Sequence, residues 1–335
     1  MSNKILFLLS DGSLNDATQY YVQIIHEAFE KAGYVVSYSN KLFDAKKYQE
    51  ILTIEAKWFF YAKLVNPSAS IINWFQGVVA EEAYLTTNSI FRKKLWQFFE
   101  GFTLRYSELN IYVSNQMKLY FEKSYNVKSK KYFVMPCFNK ELNLNLVDNN
   151  KYLTPTFVYA GSLAKWQCIE QTLELYALLE KELPDASISL LTKEKDYALD
   201  LINKYNIQNY NVSYVSLKDL DLELAKYKYG FLLREDHIVN NVATPTKMNS
   251  YLSVGIIPIY SDTIFDFNEN LKKFKNLIQL NNDGDLDFWV EKIKKFENEK
   301  KINNNEMIDN LKNLFLNYYD KESYINKLKQ VLEII

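Results

Sequence analysis

Residues 231–260, FLLREDHIVNNVATPTKMNSYLSVGIIPIY, pass from a short apolar run through a polar loop into a sharply started helix, a glycine and a second apolar run. A strand–loop–helix–strand unit of this kind belongs to an open α/β sheet. The apolar residues 231–233 end a buried strand, so Arg234, Glu235, Asp236 and His237 stand just past its carboxyl end. Ligands of open parallel sheets bind there. Thr244 reads as the N-cap, Pro245 as the first helical residue and Gly255 as a left-handed terminal residue, which predicts a helix over 245–254. Its first turn carries Thr246 and Lys247. A lysine at that end opposes the helix dipole by roughly 0.3–1 kcal/mol unless an anion sits in front of it. On this segment alone, a Lys247 that snorkels to solvent or pairs with Glu235 or Asp236 explains the sequence equally well.

A second segment tips that balance. Residues 156–183, TFVYAGSLAKWQCIEQTLELYALLEKEL, read as a strand, a Gly161-Ser162 turn and a helix with Ile169, Leu173 and Tyr176 on its apolar face. Gly161 lets backbone N–H groups approach a ligand closely. Lys165 then joins Lys247 on one carboxyl edge, giving two cations and two helix starts around one crevice suited to phosphate or diphosphate. The chain has only 8 glycines, and neither GxGxxG nor a Walker-type loop occurs among them.

The segments VYAGSLAKWQ and LLREDHIVNNVATPTKMNSYLSVGIIPI resemble the carboxyl-terminal domain of GT-B fold glycosyltransferases, specifically the large retaining family 4 (glycosyl transferases group 1). KILFLLSDGS, INWFQGVVAEEAYL, ELNIYVSNQMKLYF and YFVMPCF extend the resemblance over nearly the whole chain, with less specific motifs. It implies an α/β protein of GT-B architecture, with two Rossmann-like domains whose parallel sheets face a central cleft. It also implies transfer of a sugar from a nucleotide-sugar donor, a UDP-sugar by preference, to a glycan or lipid-linked acceptor. Retention, no metal and no cofactor beyond the nucleotide-sugar cosubstrate follow from the same resemblance, with assembly of a surface polysaccharide or another glycoconjugate as the expected pathway.

Breaking a sugar–phosphate bond develops negative charge on the departing diphosphate, so aimed cations and helix N-termini stabilise the transition state. Lys165, Lys247 and the N–H groups after Gly161 and Thr244 are the expected leaving-group stabilisers. Arg234, Glu235 and Asn240 are expected on the sugar side. Ser162, Pro245, Thr246 and Ser250 belong to the phosphate and ribose side, and Thr192 and Ser216, each after an expected strand, lie near the base. Gly12, Gln76 and Glu81 are expected to meet the acceptor. Several positions depart from the family pattern. Ser250 and Val242 stand where glutamates are usual, Gln76 where a histidine is common, and Ser162 where an arginine is usual. Ser250 and Gln76 favour the alternative reading, a non-catalytic GT-B partner that binds a sugar or nucleotide and organises an active transferase, whereas Lys165 and the Thr-Pro-Thr-Lys helix start favour the enzyme.

At 335 residues and 48% hydrophobic content the chain has material for two domains. The boundaries read as 1–139 for the first domain, with a strand at 4–9, a polar loop at 11–16, a helix ending at Gly33 and strands at 34–38, 71–75, 110–113 and 131–134. The polar, aperiodic stretch 140–153 reads as a linker, 154–315 as the nucleotide-sugar domain, and 316–335 as a helix that packs back on the first domain. The apolar run 5–9 is too short for a signal peptide, and no stretch reaches the ~20 apolar residues of a membrane span. Cys137 and Cys168 suit a reducing, cytoplasmic setting. A net charge of -1 gives no footprint for nucleic acid.

FRKKLWQFF at 91–99 interleaves Arg92, Lys93 and Lys94 with aromatic residues. Its helical period favours an ordinary amphipathic helix with its aromatics in the core; peripheral docking on the inner face of a membrane through the three cations is the other reading. Asp283-Gly284-Asp285 and Asp219-Leu220-Asp221 match a metal-binding DxD pattern, but their place before helical segments reads as turn and cap chemistry. His26 falls inside the first helix and His237 in the loop after residue 233.

Overall fold

The computed structural model describes residues 3–14, 16–299 and 302–334. Met1, Asn15 and Ile335, which belong to the expected first domain, first loop and last helix, lie outside them. The chain divides into two compact units: Met1–Asn139 with Asn241–Thr244 and Asp320–Ile335, and Lys140–Asn240 with Pro245–Tyr319.

The first unit is built on a parallel sheet of β1 (Asn3–Leu8), β2 (Tyr34–Ser39), β3 (Glu50–Thr53), β4 (Ser70–Phe75), β5 (Leu109–Tyr112) and β6 (Tyr132–Val134), in the order β2-β1-β3-β4-β5-β6. The second unit holds β7 (Thr156–Ala160), β8 (Ser187–Leu191), β9 (Tyr210–Ser213), β10 (Tyr229–Leu232), β11 (Ile257–Ser261) and β12 (Ile278–Leu280), in the order β12-β11-β10-β7-β8-β9. Neighbouring strands are parallel throughout both sheets. The α/β class read from the sequence is present, and its cause is visible in burial: β5, β10 and β11 are buried along their whole length, as strands covered by helices on both faces must be. In the second sheet the first three strands run outward to one side and the last three to the other. The direction reverses between β7 and β10, which makes the gap between those strands the topological switch point.

Two segments differ from expectation. Residues 140–153 do not form a free linker: the Asn143 N–H donates to Ser253 O at 2.8 Å, the Tyr152 hydroxyl to Gly255 O at 2.6 Å, and the Lys151 amine to Val254 O. The segment thereby covers the carbonyls that the helix Thr246–Ser253 leaves unpaired at its end. The carboxyl-terminal stretch contains a break that the apolar period does not reveal. Asn304–Tyr318 is one helix of the second unit, and Asp320 then caps a new one, Lys321–Leu332, by accepting from the Glu322 N–H. This last helix does pack on the first unit, through Lys31–Glu322 at 2.7 Å and Lys321–Glu27 at 2.8 Å on the helix Asp16–Lys31. Strand β3 and the helix Ala56–Val65 carry no sequence signal of their own, since four strand residues lead into a helix whose N-cap, Glu55, makes no side-chain cap bond.

Glu100, on the helix Ile90–Tyr106, is a buried carboxyl in the first unit. It accepts from the Ala80 N–H at 3.0 Å and from the Tyr125 hydroxyl. Burial pushes its pKa up to about 7, against those two hydrogen bonds and with help from the neighbouring Glu82 and Glu81 charges. The folded state therefore holds a proton that the unfolded chain releases above its ordinary value of 4.5. That contribution to stability is complete below the ordinary value and is lost as pH rises through about 7. Glu100→Gln is accordingly expected to be more stable than wild type at pH 8 by on the order of 1–3 kcal/mol, with the difference closing by pH 5. Thermal melts across that range check it; a gap independent of pH contradicts the assignment.

Candidate functional site

Strands β7 and β10 pair through only two residues each, Phe157 with Tyr229 and Val158 with Gly230. Beyond that, the Tyr251 hydroxyl lies between them, donating to Phe231 O at 3.2 Å and accepting from the Ala160 N–H at 3.3 Å. One phenol thus satisfies a backbone group from each strand at the switch point. Gly230 makes room for it: a Cβ there would lie 2.6 Å from two carbons of the Tyr251 ring. The ring is fully buried with Val158, Leu191, Val254 and Ile256, and burial holds the phenol in its protonated form.

Tyr251 fixes the helix Thr246–Ser253, which ends as the sequence predicts. Gly255 has φ +77°, and its N–H and that of Ile256 return to the carbonyls of Leu252 and Tyr251 at 3.1 and 3.0 Å. The start is different. Pro245, not Thr244, is the N-cap and makes no side-chain cap bond. Thr244 is buried, and its hydroxyl accepts from the Cys137 N–H at 2.8 Å, a bond within the first unit that removes it from the helix end.

Lys247 lies four residues before Tyr251 and so shares its face of the helix. Its Nζ stands 3.8 Å from the centre of the Tyr159 ring and 3.3 Å from Gln167 Oε1. A Cβ on Gly161, whose φ is +138°, would sit 3.5 Å from that nitrogen. Arg234 is only 5% exposed; its Nη1 donates to Leu233 O at 3.1 Å and its backbone N–H to Ser261 Oγ at 2.8 Å. Neither cation is paired with a carboxylate among the described residues. Burial, reinforced by the Arg234 charge, holds the Lys247 amine well below the ordinary lysine range, whereas a guanidinium keeps its proton even when buried. Lys247 is half-buried with its amine turned to Gln167 and Tyr159, and among the described residues no ion pair joins it to the exposed Glu235 or Asp236.

The other expected residues divide. Lys165 is exposed in the turn Lys165–Gln167 and bonds to none of these groups; Gln167, two residues on, reaches Lys247 instead. Gln167 and Tyr159 were missed because neither a neutral amide nor a strand tyrosine signals an anion site. The Gly161 N–H is used by Leu191 O at 3.0 Å and the Leu163 N–H by Glu194 at 2.7 Å, while the Ser162 N–H has no acceptor among the described residues. Asn240 is buried and braces the loop by donating to Glu235 O at 3.0 Å, and His237 Nδ1 accepts from the Val239 N–H at 3.2 Å. Thr192 accepts from the Glu194 N–H at 3.2 Å, Ser216 donates to Asp219 at 2.6 Å, and Ser250 donates back to Thr246 O at 3.2 Å. Those three side chains are engaged locally, and Thr246 is half-buried at the helix start.

In the first unit Gly12 occupies an exposed turn with φ +80°, and Gln76 directly follows β4. Glu81 is buried, and its two oxygens meet the Lys93 amine at 2.7 Å and the Tyr120 hydroxyl at 2.8 Å. Of the DxD residues, Asp285 accepts from the Phe288 N–H at 2.8 Å, Asp219 stands before Leu220–Leu224 without a side-chain cap bond and accepts from the Ser216 hydroxyl at 2.6 Å, and Asp221 pairs with Lys140 at 2.8 Å. His26 is packed in the first helix against Tyr38, with interplanar angle 15°.

No family model matches the sequence, and no curated protein matches it at a significant level. Solved structures do match. Anabaena HepE in complex with UDP-glucose superposes with a TM-score of 0.72 at 12% identity, over 99% of this chain and 100% of that one. The fold is of the GT-B type. Sucrose-phosphate synthase from Thermosynechococcus elongatus gives a TM-score of 0.72 at 12% identity, over 100% of this chain and 99% of its own. An S. aureus TarM mutant in complex with fondaparinux, α-GlcNAc-glycerol and UDP gives 0.67 at 14% identity, over 86% of this chain; the alignment spans 56% of the TarM chain.

Gly230→Ala is expected to cost about 1–3 kcal/mol, because the added methyl must displace the Tyr251 ring; a melting temperature equal to wild type contradicts that lock. Lys247→Met removes a half-buried amine that has no carboxylate partner among the described residues, so the ligand-free protein should melt no lower than wild type while losing inorganic diphosphate binding. An anion bound beside Lys247 would favour the charged form of an amine held below its ordinary range, so binding is expected to be linked to proton uptake and to weaken as pH rises. Calorimetry in two buffers of different ionisation enthalpy measures that uptake, and a flat pH profile without proton exchange is the opposing result.

Proposed function

We propose that the protein is a glycosyltransferase that moves a sugar from a nucleoside diphosphate sugar to a hydroxyl of a glycan or lipid-linked acceptor. The observation that carries this reading is the pair of the half-buried Lys247 and the buried Arg234, without a carboxylate partner among the described residues, at the switch point of a doubly wound sheet. Unpaired buried cations cost several kcal/mol unless a ligand neutralises them. A diphosphate matches their charge, and the uncapped N–H groups of Thr246–Ser253 add a second source of positive potential. Uracil is the favoured base, since HepE and the TarM mutant were both crystallised with UDP or a UDP-sugar.

As the glycosidic phosphate bond lengthens, charge accumulates on the leaving diphosphate, and Lys247 and Arg234 stabilise it where it forms. Their rigidity matters. Lys247 is set by the Tyr251 anchor, and Arg234 by its Leu233 and Ser261 bonds, so little reorganisation accompanies the reaction. Gly161 and Ser162 line the phosphate side, and Glu235 and Asn240 the sugar side. The acceptor falls to the first unit, with Gly12 and Gln76 as its residues. Retention without a metal is the proposed stereochemistry, with the acceptor hydroxyl attacking on the face that the diphosphate leaves. Work on a surface glycan in the cytoplasm, the compartment that suits two free thiols, completes the reading.

A second reading has one observation in its favour. Ser250, where a ribose-binding glutamate is usual in the family it resembles, donates its hydroxyl to Thr246 O, and this points to a non-catalytic partner protein. Thermal shift with uridine, guanosine, adenosine and thymidine diphosphates and their sugar conjugates separates the readings when combined with a turnover assay. A donor at 100 times its Kd should stabilise the protein by about 2.7 kcal/mol, and Lys247→Met should abolish the shift. A shift together with release of nucleoside diphosphate, and an unchanged anomer by NMR, supports a retaining transferase. A shift without turnover supports the partner protein, and no shift with any nucleotide overturns both.

A further inference from the structure

The helix Ile90–Tyr106 has a buried apolar face and a second apolar stripe that meets the core at Phe102, whose ring lies 5.0 Å from Phe60. Phe99 and Leu104 are buried, but Phe91, Leu95, Phe98 and Tyr106 are 79%, 44%, 53% and 57% exposed. Spacings of four, three and eight residues set these four in one stripe along the helix. The three cations of its first turns separate as well. Lys93 turns inward to Glu81 at 2.7 Å, whereas Arg92 and Lys94 are exposed beside the apolar stripe. Residues 83–99 contain neither Asp nor Glu, in a chain whose net charge is -1.

We propose that the outer face of the helix Ile90–Tyr106 docks on an anionic lipid surface, with Phe91, Leu95 and Phe98 entering the headgroup–acyl boundary and Arg92 and Lys94 meeting lipid phosphates. A helix lying in the plane of a bilayer needs this combination of an apolar stripe and flanking cations with no anion among them. Charge decides against a second copy of this chain. A two-fold interface on this stripe brings together two sets of Arg92 and Lys94 with no Asp or Glu from residues 83–99 to pair them, and the added positive charge opposes association. Among the described residues no helix is long and apolar enough to cross a membrane, so contact through this helix is in-plane. Docking of this kind does not depend on the reaction the protein catalyses.

Flotation of the full chain with vesicles of 3:1 phosphatidylcholine:phosphatidylglycerol, and with phosphatidylcholine alone, tests the proposal. Wild type should float with the anionic vesicles, more weakly with the neutral ones, and less as salt rises. Arg92→Gln with Lys94→Gln should lower the affinity by on the order of 25-fold, about fivefold for each basic residue. Phe91→Ser with Phe98→Ser should lower it by at least about tenfold at unchanged nucleotide shift. Three results overturn the proposal: wild type that stays in solution with both vesicles; equal flotation with both that the charge variant does not alter; or wild type that dimerises in solution while the Phe91→Ser, Phe98→Ser variant is monomeric.

Discussion

One hydroxyl at the switch point carries much of the second unit's organisation. Where β7 and β10 cease to pair, the doubly wound sheet leaves a backbone N–H and a carbonyl facing a gap. The Tyr251 hydroxyl meets both, at 3.3 Å from Ala160 N and 3.2 Å from Phe231 O. That bond pair ties a helix to the gap from one side only, so the residue one turn earlier must point the same way. Lys247 therefore reaches the crevice because of what Tyr251 does, and Gly230 is small because the Tyr251 ring passes over it. The C-terminal end of the same helix is held by Gly255 and by the 140–153 segment, which leaves the N-terminal end as the one without a side-chain cap.

Stability and ligand affinity pull against each other at this point. A fold selected for stability alone would pair Lys247 and Arg234 with carboxylates or replace them with apolar side chains. Instead Lys247 has an aromatic face at 3.8 Å and an amide oxygen at 3.3 Å, partners that orient an amine without neutralising it. Arg234 bonds to a main-chain carbonyl. On the function proposed above, an anion would relieve the repulsion between these two groups, and that repulsion would then be available as binding energy.

Strands with apolar runs and helices ended by glycine were legible, because the signal and the structure share a cause. Gly33 and Gly255 both take positive φ at helix ends, a conformation that other residues adopt at a cost. Helix starts were less legible, since Thr244, Ser216 and Ser250 each carry a hydroxyl that suits a cap or a ligand, and tertiary contacts decided which group each hydroxyl met. The grouping of Lys247 and Gly161 beside Arg234 near the switch point was legible. Lys165 and Gln167 show the limit: both follow the same turn, but the turn Lys165–Gln167 exposes the cation and turns the amide inward, and a reading weighted by charge chooses the wrong one.

The helix Ile90–Tyr106 shows a related limit at the surface. Its hydrophobic period is real but double, and composition alone does not say which apolar stripe meets the core. The buried partners decide. Glu100 must reach the Ala80 N–H and the Tyr125 hydroxyl, and Glu81 draws Lys93 inward, so the face bearing Glu100 and Phe99 is fixed toward the first unit's interior. Once that rotation is set, helical geometry leaves no choice for Phe91, Leu95 and Phe98, which project outward beside Arg92 and Lys94. An exposed apolar stripe flanked by cations is thus the consequence of satisfying buried carboxyl groups on the opposite face, and it supplies a surface that water alone does not explain.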